Sequence, residues 1–247
     1  MIQDLHSHTY YSFCGKDKPE TLINAAIDGG IEVLGICDHN YGIGFARKEL
    51  YRSEFDISNE NYERTLIRYF DHMTLLKEKY ADKINIKRGI EIATTLKFPR
   101  MLLPENMPIF YFDYALIEHV GDPERSLVGR DLFGYVKKLG CPSGIAHTDI
   151  FGYIATLGKE PLAFLKQMAE LGMFWELNVN FDSIHNYTEH AYVKRFFESE
   201  REQELVRESG IRLSIGFDSH KADEYNAERI KTACAKVESL GISLVEV

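Results

Sequence analysis

The sequence predicts an α/β fold in which parallel strands form a closed or nearly closed, TIM-like barrel. Short apolar runs rich in β-branched residues alternate with longer amphipathic runs along all 247 residues, a pattern typical of repeated strand and helix units. About seven such units fit into this length, which favours a barrel formed as a single domain, residues 1–247, over an open doubly wound sheet. No glycine-rich phosphate loop follows the first apolar run, so a nucleotide-binding α/β fold is not indicated.

Each element has its own signal in the sequence. Strands are predicted at the apolar runs 2–5, 33–37, 84–92, 112–117, 143–146, 173–177 and 211–215. Helices are predicted between them, at 19–28, 61–80, 130–139, 161–171, 189–209 and 224–240. Several of these helices end at a glycine, as at Gly140 and Gly210, which is the expected C-terminal stop. Residues 41–61 have no clear period, and we expect either a lid over the barrel mouth or a surface excursion there.

The composition excludes some classes of partner. A net charge of −9 argues against a nonspecific nucleic-acid surface or an anionic-membrane surface. The four cysteines have no paired spacing, which fits a reducing compartment. Because neither a signal peptide nor an apolar run of membrane-spanning length is found, we expect a cytoplasmic protein.

Histidines and acids gather at the predicted strand exits. The chain opens with DLHSHT and carries GFDSH near its other end, so that two ligand-type side chains spaced i, i+2 point to the same side of each strand end. A parallel barrel carries its chemistry at the C-terminal ends of its strands, where these side chains are predicted to meet. Six of the nine histidines occupy such positions. The predicted metal ligands are His6, His8, His39, Glu91, His119, His147, Asp218 and His220.

The ligand types indicate both the metals and the reaction. Imidazole and carboxylate ligands suit zinc, manganese or iron more than calcium or magnesium. Eight ligands are too many for one tetrahedral ion, but they suffice for two ions that Glu91 bridges, and they leave room for a third. Ions about 4 Å apart can share a bridging hydroxide that is nucleophilic at neutral pH. This arrangement is suited to the hydrolysis of a phosphoester.

Three further acids lie next to predicted ligands. Asp4, Asp38 and Glu118 are predicted to orient those ligands, or to cap helix N-termini, rather than to bind metal themselves. Carboxylates in such positions commonly fix the orientation of a ligating imidazole.

The ordered motifs DLHSHT, CDH, GIE, EH, AHTD and FDSH resemble those of the PHP family, the polymerase and histidinol phosphatase superfamily of metal-dependent phosphoesterases. The resemblance implies a distorted seven-stranded β/α barrel with two or three divalent ions. It places His6, His8, Glu91 and Asp218 on one ion, and Glu91, His119 and His147 on a second. It places His39 and His220 on a third.

The loop after the first motif departs from the family pattern. Family members carry an Asp or His there as a further ligand of the third ion, whereas this chain has Cys14. Two alternatives follow: the Cys14 thiolate is a candidate third-ion ligand that suits zinc, or the third ion is weak or absent.

The length of the chain and the predicted helix 61–80 look closest to the histidinol phosphatase branch, so the expected substrate is a small phosphomonoester, with histidinol phosphate as the candidate. Four side chains are predicted by position to contact substrate: Arg130, His185, Arg195 and Lys221. Two alternatives stay open: an amidohydrolase-type barrel that cleaves C–N bonds, and a catalytically inactive PHP module that binds metal.

Overall fold

The computed structural model describes residues 1–44, 59–129 and 131–247. Seven parallel strands form one sheet in chain order, which confirms the predicted α/β barrel. Most of the predicted lid, residues 45–58, lies outside the described residues, as does Arg130. The strands are β1 (Gln3–Asp4), β2 (Val33–His39), β3 (Asn85–Ala93), β4 (Tyr114–Glu118), β5 (Ser143–Ile145), β6 (Phe174–Asn178) and β7 (Arg212–Gly216).

Backbone hydrogen bonds join β1 to β7 and close the barrel. Leu5 donates its N–H to the carbonyl oxygen of Ile215 at 2.8 Å, and Asp218 donates to the carbonyl oxygen of His6 at 2.6 Å. The buried Asp4 carboxylate reinforces this seam, because it accepts the backbone N–H of Phe217 at 2.9 Å. The first and last motifs of the chain are therefore neighbours in space.

The helices surround the sheet close to the predicted places. The predicted helix 189–209 is in fact two helices, because Ser199 ends the first and its side chain accepts the backbone N–H of Glu202 in the second. The sequence also missed the helix that starts after Asp149, whose carboxylate accepts the N–H of Gly152. The helices of the described residues are α1 (Pro19–Asp28), α2 (Asn40–Gly44), α3 (Asn59–Lys79), α4 (Leu132–Leu139), α5 (Ile150–Thr156), α6 (Pro161–Glu170), α7 (Ala191–Glu198), α8 (Glu200–Ser209) and α9 (Ala227–Ser239). Within the described ranges, no helix has the length and apolar character needed to cross a membrane.

A small apolar cluster fills the interior of the barrel. Tyr114 lies fully buried in it and donates its hydroxyl to the carbonyl oxygen of Leu5 at 2.7 Å. Gly35 and Gly89 leave the space that the tyrosine ring occupies, since a Cβ built on either glycine would lie within 2.5 Å of a Tyr114 atom. Val245 belongs to the same cluster, so the C-terminal segment helps to fill the interior. This packing forms a solid floor beneath the strand ends.

Replacing Gly89 by alanine tests the floor. The added Cβ would lie 2.4 Å from Cζ of Tyr114, and the tyrosine is fully buried. We expect Gly89→Ala to lower the free energy of unfolding by about 1–3 kcal/mol, measured by chemical denaturation. Gly121→Ala is the matched control, because its nearest heavy atom would be Cγ2 of Thr148 at 3.6 Å, and little change is expected. Equal stability of the two variants would contradict this account.

Candidate metal centre

The candidate metal centre lies where the inward faces of the strands change from apolar to polar. Along β4, Tyr114 and Leu116 face the barrel interior, and Glu118 follows two residues later. Along β6, Phe174 faces the interior and Glu176 follows in the same way. Because side chains alternate between the two faces of a strand, both carboxylates stand one step above the apolar floor.

Four predicted ligands meet in one compact group, the first donor group: His6, His8, Glu91 and Asp218. The Nε2 atoms of His6 and His8 are 3.2 Å apart, and Oε2 of Glu91 lies 3.3 and 3.4 Å from them. Oδ1 of Asp218 lies 3.6 Å from the His6 nitrogen and 3.0 Å from that of His8. Ligand atoms bound tetrahedrally to zinc at about 2.0–2.1 Å are about 3.3 Å apart, so this spacing fits such an ion.

Two hydrogen bonds fix the orientation of these histidines. Nδ1 of His6 lies 2.7 Å from Oε1 of Glu176, and Nδ1 of His8 lies 3.2 Å from Oγ of Ser12. The Ser12 hydroxyl in turn donates to the carboxylate of Asp38 at 2.7 Å. With both Nδ1 atoms engaged, the Nε2 atoms are directed at the centre, as is usual for ligating histidines. Asp38 thus contacts His8 through Ser12. Glu176 was not singled out from the sequence, where its signal was a single acid within an apolar strand.

Glu91 occupies the middle of the centre and is fully buried. Its Oε1 atom lies 3.1 Å from Nε2 of His147, while its Oε2 atom lies 2.9 Å from Nδ1 of His39. One carboxylate therefore contacts donors on two sides, which is the arrangement needed to bridge two ions. Oε2 accepts no hydrogen bond among the described residues, and an unpartnered buried oxygen of this kind fits a metal ligand.

Three predicted ligands lie at the edge of this arrangement. The side chain of His119 is 43% exposed, and its Nδ1 lies 3.2 Å from Glu118 rather than near Glu91. His220 donates from Nδ1 to the carbonyl oxygen of Asp218 at 2.7 Å if that nitrogen is protonated. Cys14 lies with His8 and His39 in a group whose ligand atoms are within 4.8 Å of one another. Burial raises the pKa of the Cys14 thiol, but hydrogen bonds with His220 and His39 outweigh it and lower the pKa to about 7.

The predicted substrate contacts have different environments. His185 reaches the centre, because its Nε2 lies 3.2 Å from Oδ2 of Asp218 and its Nδ1 lies 2.7 Å from the buried Asp182. The guanidinium of Arg195 is instead held by Asp149 through bonds of 2.8 and 2.6 Å. Lys221 donates to Ser183 at 2.7 Å. Asp182 had no signal in the sequence beyond its place after a strand.

The comparisons with known proteins agree with the motif order. A protein-family model described as the PHP domain matches residues 4–240. The chain belongs to the PHP domain family. The resemblance on which the sequence prediction rested is thereby confirmed.

Two relatives show how far this likeness extends. A histidinol-phosphatase from Lactococcus lactis subsp. lactis is 25% identical over 123 residues, which cover 49% of this chain and only 40% of that protein. The crystal structure of a histidinol phosphate phosphatase from the same organism, complexed with zinc, L-histidinol and phosphate, aligns with a TM-score of 0.57 at 19% identity. That alignment covers 99% of this chain and 95% of the other, and at such low identity it shows the fold alone.

A cavity of about 830 Å³ lies beside the PHP-domain centre, between α7 and α9. Asn178 belongs to both, since it lines the cavity and places its Nδ2 atom 3.4 Å from Oδ2 of Asp218. His190 also lines the cavity, and its ring stacks on that of His147 at 6.2 Å. Within the described part of the chain, no candidate ligand lines the cavity, which reaches the centre only through Asn178 and His190, and it is large enough for a small molecule.

Buried carboxylates keep several rings of the PHP-domain centre protonated when no cation compensates them. Burial favours the neutral ring of His147, but the hydrogen bond and the charge of Glu91 outweigh it and raise the pKa of His147 to about 9. Burial likewise lowers the pKa of His6, yet the charges of Glu176 and Glu91 hold it well above its ordinary value. A metal ion and these protons therefore compete for the same nitrogens.

Proton release on metal binding tests this competition. At pH 7, below the raised pKa of His147, a proton must leave that ring before it can bind a cation. We expect the heat of zinc binding, measured by calorimetry in buffers of different ionisation enthalpy, to show release of at least about one proton per chain. Binding should also weaken as the pH falls. A heat that is the same in every buffer would contradict this expectation.

Proposed function

We propose that this chain is a single-domain, metal-dependent phosphoesterase that hydrolyses a small phosphomonoester. The spacing of the first donor group carries the proposal, because four buried donor atoms, one from β3 and three from the segments just after β1 and β7, lie at separations suited to a tetrahedral cation. Membership of the PHP domain family supports the same reaction class.

The residues would share the ions as follows. His6, His8, Glu91 and Asp218 would hold one ion, and the second oxygen of Glu91 with His147 would hold another. His39 and His220, with Cys14, are the proposed ligands of a third, while His119 stays a predicted ligand of the second ion. When bound, divalent ions supply a nucleophile from water at neutral pH and stabilise negative charge on phosphate oxygens. Zinc is the favoured metal, since the aligned Lactococcus lactis structure is complexed with zinc.

The rest of the site orients the ligands and the substrate. Glu176 accepts the backbone N–H of His147 at 2.6 Å as well as contacting Nδ1 of His6, so one carboxylate fixes two proposed ligands. Three ligands, His6, His8 and Glu91, are at most 2% exposed, so bulk water has little access to their donor atoms. His185, poised between Asp182 and Asp218, is the best placed of the predicted substrate contacts.

Histidinol phosphate is the proposed substrate to test first. A histidinol-phosphatase is among the relatives of this chain, and the cavity between α7 and α9 offers space next to the ligands for the part of the substrate beyond the phosphate. The cavity lining carries three carboxylates, Glu189, Glu198 and Glu228, and three cations, Lys194, Arg229 and Lys236, so its charges are balanced. A C–N hydrolase has no evident use for His39 and Glu118 beside Glu91, which favours the phosphoesterase over that alternative.

Removing a proposed ligand should remove the activity. We expect metal-loaded protein to release inorganic phosphate from histidinol phosphate and from a generic aryl phosphate, and Asp218→Asn to lose most of this activity. The exposed Asp223→Asn is the matched control, and it should retain wild-type kcat/KM. Phosphate release that persists in Asp218→Asn, or amide cleavage without phosphate release, would contradict the proposal.

The role of Glu176 has its own test. A glutamine side chain at this position has one acceptor oxygen and no negative charge, so it cannot serve both Nδ1 of His6 and the backbone N–H of His147 as the carboxylate does. Glu176→Gln should therefore weaken metal affinity or activity by about 10–100-fold. Exposed Glu170→Gln on α6 makes the same chemical change and should have no effect. Metal affinity is measured by competition with a chelating dye. Unchanged metal affinity and unchanged activity in Glu176→Gln would show that Glu176 has no role in holding the proposed ligands.

A further inference from the structure

Three buried atoms have no hydrogen-bond partner among the described residues: Oε2 of Glu91, which belongs to the first donor group, and beside it Nδ1 of His39 and Oε1 of Glu118. The His39 nitrogen lies 2.9 Å from the Glu91 oxygen and 3.4 Å from the Glu118 oxygen. One ligand atom from each residue lies within 4.8 Å of the other two. Buried polar atoms in folded proteins nearly always have partners, so three that face one another indicate a ligand between them.

The sheet brings these three side chains together from neighbouring strands. His39 ends β2 and pairs in register with Glu91 on β3. Glu118 ends β4, where it pairs with Ala93, two residues beyond Glu91. The side chain of Glu118 is only 5% exposed, so its charge is largely removed from water. A buried carboxylate is costly without a compensating cation.

We propose that Glu118 binds a divalent metal ion together with Glu91 and His39. Two carboxylates and one imidazole suit manganese, iron or zinc. The inference rests on the proposed metal centre and deepens it, because it makes a ligand of Glu118, which the sequence predicted to orient a ligand or to cap a helix N-terminus.

His119 has a defined place in this arrangement. Its Nδ1 lies 3.2 Å from Oε2 of Glu118, on the exposed side of the carboxylate. The contact engages Oε2 and leaves Oε1 directed inward, toward His39. In this structure His119 therefore orients Glu118, whose other oxygen is free to bind an ion.

A protonated His39 is the competing explanation. The imidazolium would then pair with Glu91 and Glu118, and no ion would be needed between them. The two explanations differ in the metal content of the protein, because removing the Glu118 charge changes the ion count only if Glu118 is a ligand.

The test compares two substitutions that make the same chemical change, Glu118→Gln in the centre and Glu170→Gln on the surface. The full chain is stripped with a chelator, reloaded with manganese or zinc, desalted, and analysed for metal per chain by mass spectrometry. We expect Glu118→Gln to hold about one ion fewer than the wild type, and the exposed Glu170→Gln to keep the wild-type count. Because glutamine is close to glutamate in size, Glu118→Gln removes the charge of the proposed ligand with little change in packing.

The possible outcomes distinguish the role of Glu118 from the existence of the metal centre itself. Wild-type metal content and affinity in Glu118→Gln would overturn the role of Glu118 and leave the first donor group intact. A wild-type chain that takes up no stoichiometric metal would contradict the proposed centre itself. If circular dichroism shows that Glu118→Gln does not fold, Glu118→Asp takes its place. Aspartate keeps the charge, but its side chain is one methylene shorter, so its oxygen lies farther from the proposed ion. The affinity of Glu118→Asp for one ion should then fall by about tenfold or more, and an unchanged affinity would overturn the proposal.

Discussion

The burial of the Glu91 carboxylate is the constraint on which the centre depends. Glu91 is fully buried above an apolar floor, so its charge must be compensated by its neighbours. His6, His8, His39 and His147 all place a nitrogen within 3.4 Å of it. Either protons on these rings or bound cations supply the compensating charge. The raised pKa of His147 is the consequence for the metal-free centre, in which protons supply it. Glu176 and Ser12 then matter because they decide which ring nitrogens face Glu91.

Barrel closure decides which residues can share an ion. His6 and Asp218 lie near opposite ends of the chain, yet the β1–β7 seam brings them together through the hydrogen bond from the Asp218 N–H to the His6 carbonyl oxygen at 2.6 Å. The Asp4 carboxylate ties β1 to the backbone N–H of Phe217 just beneath the centre. A fold that left this edge open would separate the two halves of the first donor group. The stability of the seam and the integrity of the metal centre are therefore linked.

The sequence predicted the barrel, its strands and the first donor group, because apolar period and ligand spacing are local properties. It did not predict the break at Ser199, where one side-chain hydrogen bond outweighs a continuous amphipathic period. It missed Glu176, because an acid inside an apolar run looks like an outward-facing residue until the register of the barrel is known. It did not predict that His119 adopts a left-handed φ of 64° with an exposed side chain, whereas the side chain of Glu118 turns inward. Which of two adjacent polar residues enters the barrel depends on backbone conformation, which motif spacing does not encode.

The same geometry bears on the two alternatives for Cys14. An ion held by Cys14, His8 and His39 would share both histidines with the other proposed ions. Nε2 of His8 faces Asp218 at 3.0 Å, and Nδ1 of His39 faces Glu91 at 2.9 Å. Nδ1 of His8 is engaged with Ser12, so that ring has no free nitrogen for a further ion. His39 retains only its second nitrogen, and a ring that binds ions at both nitrogens must lose both protons. The Cys14 thiolate is thus the one donor of this group that is not also a proposed ligand of another ion. On this geometry we expect an ion at Cys14 to bind more weakly than the ion of the first donor group.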